Sequence, residues 1–288
     1  MFLAVALSLS IGAIPHRELP STFVAGRLFV MPRVTNSNRR LGLSVDTHGS
    51  GFIRSTVVPQ LHLQTADEHV AYLPPFSETA FPPVTANHGA LPILDDAQIA
   101  RDPVFSGVDG QLGWPWLVNR IWTIDYIGRH FYQDYSAPPV PDSERVPLLF
   151  DSDHRYPQLM IEIGGNAYRT ALDTTASLAV RDALASGMYT AVHVKAMSFV
   201  PFATMMAWHT AHPDWLYGAI NGLPSDVVMI RVPEATAGRV IFHDVLFWAR
   251  PHDGMFKGES VDLILGPNAF GNCALTLDYV HEFAGFEC

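Results

Sequence analysis

One sequence pattern occurs twice in the chain and determines the predicted fold. It appears first in Leu43-Ser44-Val45-Asp46-Thr47-His48-Gly49-Ser50 and again in Thr170-Ala171-Leu172-Asp173-Thr174-Thr175-Ala176-Ser177. Each stretch is an apolar run that ends in Asp-Thr and has a Ser four residues after the Asp. Short apolar runs that are followed by polar and turn-forming residues are typical of buried strands. The pattern therefore predicts two equivalent strands, each with an Asp-Thr loop at its end.

A second repeated block follows each of these stretches. The pattern V-D-x-x-L-G occurs in Val108-Asp109-Gly110-Gln111-Leu112-Gly113 and in Val261-Asp262-Leu263-Ile264-Leu265-Gly266. Twelve residues after the last Gly of each block comes Asp-Tyr, within Thr123-Ile124-Asp125-Tyr126 and Thr276-Leu277-Asp278-Tyr279. Because the pattern elements recur in the same order, the sequence predicts a tandem duplication.

The duplication divides the chain into two lobes. A proline-rich polar segment, 136–144, lies between the copies and has the composition of a linker. The predicted organisation is an export segment at 1–20, an N-terminal lobe at 21–135, a linker at 136–155 and a C-terminal lobe at 156–288.

Both ends of the chain bear on its cellular compartment. Residues 1–13 are uncharged and mostly apolar, with Ser10 and Gly12 suitably placed for cleavage after Gly12, so we expect a secreted or periplasmic protein. A buried first strand or helix is the alternative. In an oxidising compartment Cys273 and Cys288 could close a C-terminal loop, whereas in a reducing cytosol they would be two small apolar side chains.

Composition excludes several classes of protein. The chain has 288 residues, 48% hydrophobic and only 16% charged, which excludes a coiled coil and a largely disordered chain. A net charge of −10 argues against nucleic acid as a partner. No apolar run after the N-terminus is long enough for a membrane span. Short strand-like runs dominate and helical periodicity is weak, so we expect an all-β protein. We also expect it to be a monomer.

The paired Asp-Thr loops suggest a specific chemistry. If a pseudo-twofold axis brings Asp46 and Asp173 together, the two carboxyl groups cannot both ionise easily and share one proton. Such a pair can activate a water molecule with its charged member and polarise an amide carbonyl with its protonated member. Peptide hydrolysis by this route needs no metal or cofactor. Metal ligands with established spacing are absent from the sequence, so we predict no metal site.

The paired Asp-Thr and paired L-G…D-Y elements resemble those of the pepsin/retropepsin superfamily of aspartic proteases, in its single-chain form with two lobes. The resemblance implies an all-β fold of two pseudo-symmetric β-barrel lobes with a central cleft. It implies an endopeptidase whose substrate is a polypeptide in extended conformation. By the resemblance, Asp46 and Asp173 are the catalytic residues, and the loops are supported by Thr47, Gly49, Ser50, Thr174 and Ser177.

Two positions depart from the family pattern. The Gly that follows Asp-Thr in the family is replaced by His48 and by Thr175. Either His48 crowds the water site or it is a one-residue insertion before Gly49-Ser50. A catalytically inactive protein that binds peptides or acts as a scaffold is therefore the alternative function.

The family also covers its cleft with a flap. The candidate for this flap is the segment 67–81 with Tyr72; the alternative is that Tyr72 is an ordinary strand aromatic.

Overall fold

The computed structural model describes residues 16–35, 37–100, 105, 107–134, 140–141, 144–183, 190–218, 228–251, 256–258 and 260–288. Strands are its main regular structure. The strands of the first half are β1 (His16–Glu18), β2 (Ser21–Val24), β3 (Arg27–Val30), β4 (Leu43–Val45), β5 (Phe52–Arg54), β6 (Gln64–Thr65), β7 (Val70–Tyr72), β8 (Ala90–Leu94), β9 (Gly110–Leu112), β10 (Ile121–Asp125), β11 (His130–Asp134) and β12 (Arg145–Pro147).

The second half has longer strands and the longest helix among the described residues. Its strands are β13 (Gln158–Ile163), β14 (Asn166–Leu172), β15 (Ser177–Ala183), β16 (Thr190–Ala196), β17 (Ser198–Pro201), β18 (Tyr217–Gly218), β19 (Met229–Ala237), β20 (Val240–Arg250), β21 (Leu263–Leu265), β22 (Ala274–Asp278) and β23 (Phe283–Glu287). The helices of the whole chain are α1 (Val57–Gln60), α2 (Asp96–Ala100), α3 (Trp114–Leu117), α4 (Phe202–Ala211), α5 (Pro267–Phe270) and a 3-10 turn at Ala86–Gly89.

Strand periodicity explains why these segments form sheets. In β13, Leu159, Ile161 and Ile163 are buried while the intervening Met160 and Glu162 are exposed, which is the alternation of a strand with one face on a core. The turn after it uses two glycines with φ of 57° and 78°, as a two-residue hairpin turn requires. Sequence and backbone thus agree on this hairpin.

Each half of the chain builds its own sheet. The first has eight strands in the order β2-β3-β4-β9-β5-β8-β7-β6, and the second has seven in the order β13-β14-β21-β17-β20-β19-β18. In the second sheet β13 also pairs with β19, which closes that lobe into a barrel. β4 runs parallel to β9 in one lobe, and β14 runs parallel to β21 in the other. The predicted all-β fold of two pseudo-symmetric lobes is confirmed.

A third sheet joins the lobes. It has six strands in the order β1-β11-β10-β22-β23-β12, so strands from both ends of the chain share it. At its centre β10 and β22 are antiparallel, with Thr123 opposite Thr276 and their hydroxyl oxygens 3.2 Å apart. These are the first residues of the repeated T-x-D-Y elements. The two copies therefore pair with each other, as a pseudo-twofold axis between them requires.

Strand pairing extends into the two segments that the sequence assigned to export and to the linker. β1 lies within 1–20, yet it pairs with β11, and the nearby Leu19 is only 1% exposed. β12 lies within 136–155, yet it pairs with β23. Backbone hydrogen bonds to distant strands therefore draw part of the predicted export segment and part of the linker into the fold. Residues 1–15, which carry the predicted export signal, lie outside the described residues.

The C-terminal hairpin is closed by a covalent bond. Cys273 and Cys288, which flank β22 and β23, form a disulfide, which is the first of the two alternatives that the sequence left open. No helix among the described residues is both long and apolar enough to cross a membrane.

Candidate active site

Equivalent strand ends position the two aspartates. Asp46 directly follows β4 and Asp173 directly follows β14, and each parallel partner strand holds the loop. The backbone N–H of Asp46 donates to Leu112 O (2.8 Å), and that of Asp173 donates to Leu265 O (3.0 Å). The L-G elements that repeat in the sequence therefore support the Asp-Thr loops in the same way in both lobes.

Two buried threonines fasten the loops to each other. The Thr47 hydroxyl donates to Leu172 O (2.6 Å), and the Thr174 hydroxyl donates to Val45 O (2.8 Å). Each threonine oxygen also accepts the other residue's backbone N–H, at 3.2 and 3.1 Å. Both side chains are fully buried, so four hydrogen bonds across the lobes hold the aspartates in one site.

Glycines allow the loops to pack this closely. A Cβ on Gly113 would overlap Gly49 O, and one on Gly266 would overlap Met197 O. A Cβ on Gly49 would overlap the Asp46 carboxylate. Gly49 therefore keeps its predicted place beside the catalytic candidate, because any larger residue would collide with it.

The residues that replace the family's glycine occupy equivalent positions. The backbone N–H of His48 donates to Asp46 Oδ1 (2.9 Å), and that of Thr175 donates to Asp173 Oδ1 (2.7 Å). His48 is therefore a substitution in register with Thr175 and not an inserted residue. Its ring is directed across the lobes, with Nδ1 3.8 Å from Asp173 Oδ2.

Comparison with solved structures places this geometry in a known fold. One similar structure is an aspartic proteinase from Irpex lacteus, 12% identical, with a TM-score of 0.52 over 95% of this chain and 97% of that chain. The chain has the pepsin-like fold. Another is conglutin gamma, described as a unique basic 7S globulin from lupine seeds, 10% identical, with a TM-score of 0.53 over 95% of both chains. No family model and no curated protein matches the sequence. At these identities the likeness establishes the fold and no activity.

Within the pepsin-like fold the two carboxyl groups are electrostatically unequal. Burial, followed by the charge of Asp173, raises the pKa of Asp46 to about 7. Burial also acts to raise the pKa of Asp173, but hydrogen bonding and charge from His48, with two hydrogen bonds from Thr175, bring that pKa below its usual value. Neither Lys nor Arg is among the described groups that act on the pair. The directions of these two pKa shifts favour a proton on Asp46 and a charge on Asp173.

Sequence reasoning missed two tyrosines beside the pair. The hydroxyl groups of Tyr126 and Tyr279 are buried and have no hydrogen-bond partner in the described part of the chain. Burial and the charge of Asp173 raise the pKa of Tyr126, and burial and the charge of Asp46 raise that of Tyr279. Both are the Tyr of the repeated D-Y element, so the signal was present but served only to identify the duplication.

The remaining predicted site residues, Ser177, Ser50 and Tyr72, lie in different surroundings. Ser177 is buried and its hydroxyl donates to Thr175 O (2.7 Å), so it supports its loop, whereas Ser50 is exposed. Tyr72 ends β7, where it pairs with Gln64 and Ala90 and is 37% exposed. Its role in a flap stays a prediction. Over the described residues, no group of three or more His, Cys, Asp or Glu side chains is arranged to hold a metal ion.

Proposed function

We propose that this protein is an aspartic endopeptidase in which Asp46 and Asp173 activate a water molecule. The observation that carries the proposal is the pair itself: two buried carboxyl groups on equivalent loops, fastened by Thr47 and Thr174 and differing in proton affinity. A group that stays charged and a neighbour that stays protonated are what a general base and a general acid require at the same pH.

Each aspartate has a defined part in the reaction. Charged Asp173 takes a proton from the water as the water oxygen bonds to the scissile carbonyl carbon, and Asp46 gives its proton to the carbonyl oxygen. In the second step Asp173 passes its proton to the amide nitrogen while the C–N bond breaks. Asp46 recovers a proton from a hydroxyl group of the intermediate. A carboxylic acid and an amine leave, and the pair returns to its starting state.

The fold supports further parts of the proposal. Both halves of the site come from one chain, so a monomer is sufficient for activity. An extended polypeptide can bind beside the loops by strand addition, which uses main-chain hydrogen bonds. The disulfide between Cys273 and Cys288 supports a secreted or periplasmic location, because such bonds persist in oxidising compartments.

A non-catalytic peptide-binding or scaffold protein is the second candidate. Two observations favour it: His48 and Thr175 stand where the family has glycine, and one of the similar structures is named as a seed globulin. The fold alone therefore does not decide between the two functions.

The deciding experiment measures cleavage of an unfolded protein substrate by the full chain across pH 3–8, with and without a statine-type inhibitor. We expect inhibitor-sensitive cleavage that falls by about 10²–10⁴-fold in both Asp46→Asn and Asp173→Asn. Asp96→Asn, an exposed carboxylate paired with Arg54, is the matched control and is expected to keep full activity. Cleavage that persists in both active-site variants excludes this pair. Absence of cleavage by the folded parent chain at every pH favours the non-catalytic candidate.

A further inference from the structure

His48 links the two lobes at the aspartates. It belongs to the N-terminal Asp-Thr loop, but its ring nitrogen Nδ1 lies 3.8 Å from Oδ2 of Asp173 in the other lobe. The side chains of His48 and Asp173 are only 15% and 10% exposed, so water screens this interaction weakly. On its other side the ring meets Tyr156 edge to face, with centroids 4.6 Å apart and planes at 84°.

Tyr156 is itself fixed in place. Its side chain is 2% exposed, and its hydroxyl group donates to Asp151 Oδ2 at 3.4 Å. Asp151 also accepts hydrogen bonds from Gln158 (2.9 Å), Arg169 (2.8 Å) and Ser260 (2.5 Å). Because this network holds the Tyr156 ring, the ring forms a rigid wall for His48.

The groups that donate hydrogen bonds to the two aspartates differ in kind. Asp173 Oδ1 accepts both the backbone N–H (2.7 Å) and the hydroxyl group (2.9 Å) of Thr175, while its Oδ2 faces the His48 ring. Asp46 accepts backbone N–H groups, from His48 at Oδ1 (2.9 Å) and from Gly49. Donors stabilise a charged carboxylate, so this arrangement favours charge on Asp173.

We propose that His48 is a positioning residue that assigns the roles of the two aspartates: held by Tyr156, its ring stabilises charge on Asp173 and leaves Asp46 as the proton donor. The assignment of donor and acceptor rests on the proposed function, whereas the charge on Asp173 does not. His48 occupies a position at which the two copies of the repeated stretch differ, and Tyr156 lies outside that stretch.

The titratable groups around His48 determine in which direction the pKa of Asp173 changes when the His48 ring is removed. Asp46 faces His48 from the same loop, and Asp173 faces it from the opposite loop. Tyr156 faces it from the segment before β13. The charge of Asp173 also raises the pKa of Tyr126, and that of Asp46 raises the pKa of Tyr279. The charge of His48 lowers the pKa of both aspartates, and its ring nitrogen lies 3.8 Å from Asp173 Oδ2, so removal of the ring raises the pKa of Asp173. Asp173 then loses its charge at a higher pH as the solution is acidified, so the acidic limb of the activity profile moves upward.

The first test compares pH profiles of kcat/KM for the parent chain and His48→Gln, which keeps a polar side chain but cannot titrate. We expect the acidic limb to move up by about one pH unit, so activity below that limb falls about tenfold. His243→Gln replaces an exposed histidine on β20 and serves as the matched control with an unchanged profile. An acidic limb that does not move in a folded His48→Gln chain overturns the proposal. If His48→Gln does not fold, the same pH profile is measured with His48→Asn.

A second readout does not need activity. The carboxyl carbon of Asp173 is followed by ¹³C NMR during a pH titration, and its signal is assigned by its loss in Asp173→Asn. We expect its pKa to rise in His48→Gln and, by a smaller amount, in Tyr156→Leu. An unchanged Asp173 titration in His48→Gln contradicts the proposal. A shifted titration in a chain that cleaves nothing contradicts the proposed function but leaves the effect of His48 on Asp173 in place.

Discussion

At the scale of single residues, the two aspartates occupy equivalent places but have different surroundings. Asp46 and Asp173 are 6% and 7% exposed and follow equivalent strands. Thr175 gives Asp173 a hydroxyl donor, and the His48 ring nitrogen of the other lobe lies 3.8 Å from Asp173 Oδ2. The duplication therefore supplies two like groups, and the residues that follow each Asp-Thr make them unlike.

This difference predicts how stability depends on pH. The pKa of Asp46 is raised to about 7 in the folded chain from 3.8 in the unfolded chain. Between these values the folded state holds a proton that the unfolded state has released, so the group's contribution to stability falls as pH rises from about 4 to 7. In Asp46→Asn this loss is absent. We expect Tm of Asp46→Asn minus that of the parent chain to grow from pH 4 to 7 and then stay constant.

Thermal unfolding followed by circular dichroism at several pH values measures this difference. Asp96→Asn, whose carboxylate is 60% exposed, should show no such trend relative to the parent chain. A Tm difference for Asp46→Asn that is constant from pH 4 to 7 would mean that Asp46 titrates normally in the folded protein.

Sequence alone predicted the motif residues and missed their neighbours. Asp46, Asp173 and the two threonines stand out because the pattern occurs twice. Tyr156 does not, since it lies outside the repeated elements, and only the folded chain brings it to His48. Contacts between residues over 100 positions apart leave no local pattern to detect, as the ring contact between His48 and Tyr156 illustrates.

At the scale of elements, the C-terminal hairpin of β22 and β23 has a central place. β22 pairs with β10 on one side and β23 on the other, so it connects the lobes. The repeated T-x-D-Y element lies at the end of β22, whereas β23 belongs to no repeated element. By contrast, the sequence assigned the residues of β1 to the export segment and those of β12 to the linker. These two strands form by pairing with β11 and β23, and their own composition does not indicate them.

The disulfide across the end of this hairpin should contribute measurably to stability. Cys273 and Cys288 close a loop with a sequence separation of 15, for which the chain-entropy account gives about 3 kcal/mol. We expect the double variant Cys273→Ala/Cys288→Ala to lose up to that amount in the free energy of unfolding, measured with urea. Adding a reductant to the parent chain should lower its stability similarly and leave the double variant unchanged. A reductant effect on the double variant would have to come from something other than this bond.

At the scale of the whole molecule, the shared six-stranded sheet makes the lobes mutually dependent. In this sheet β22 and β23 of the second half lie between β10 and β12 of the first half, and the Asp-Thr loops are fastened to each other by the bonds of Thr47 and Thr174. Neither half keeps a complete site without the other. The molecule should therefore unfold as one cooperative unit, although its two barrels have separate sheets.

Leu277 provides the test of this cooperativity, because it lies fully buried in β22, opposite Trp122 of β10. Leu277→Ala should lower the free energy of unfolding by about 2–5 kcal/mol, and both lobes should unfold at the same, lower urea concentration. Fluorine NMR of 5-fluorotryptophan-labelled protein can follow both lobes, since Trp116 lies in the first half and Trp208 in the second. Ile161→Ala, in the barrel of the second lobe, is the matched control and should also move both signals together if the coupling is complete. Separate midpoints for Trp116 and Trp208 in either variant would show that each lobe folds independently and that the shared sheet does not couple them.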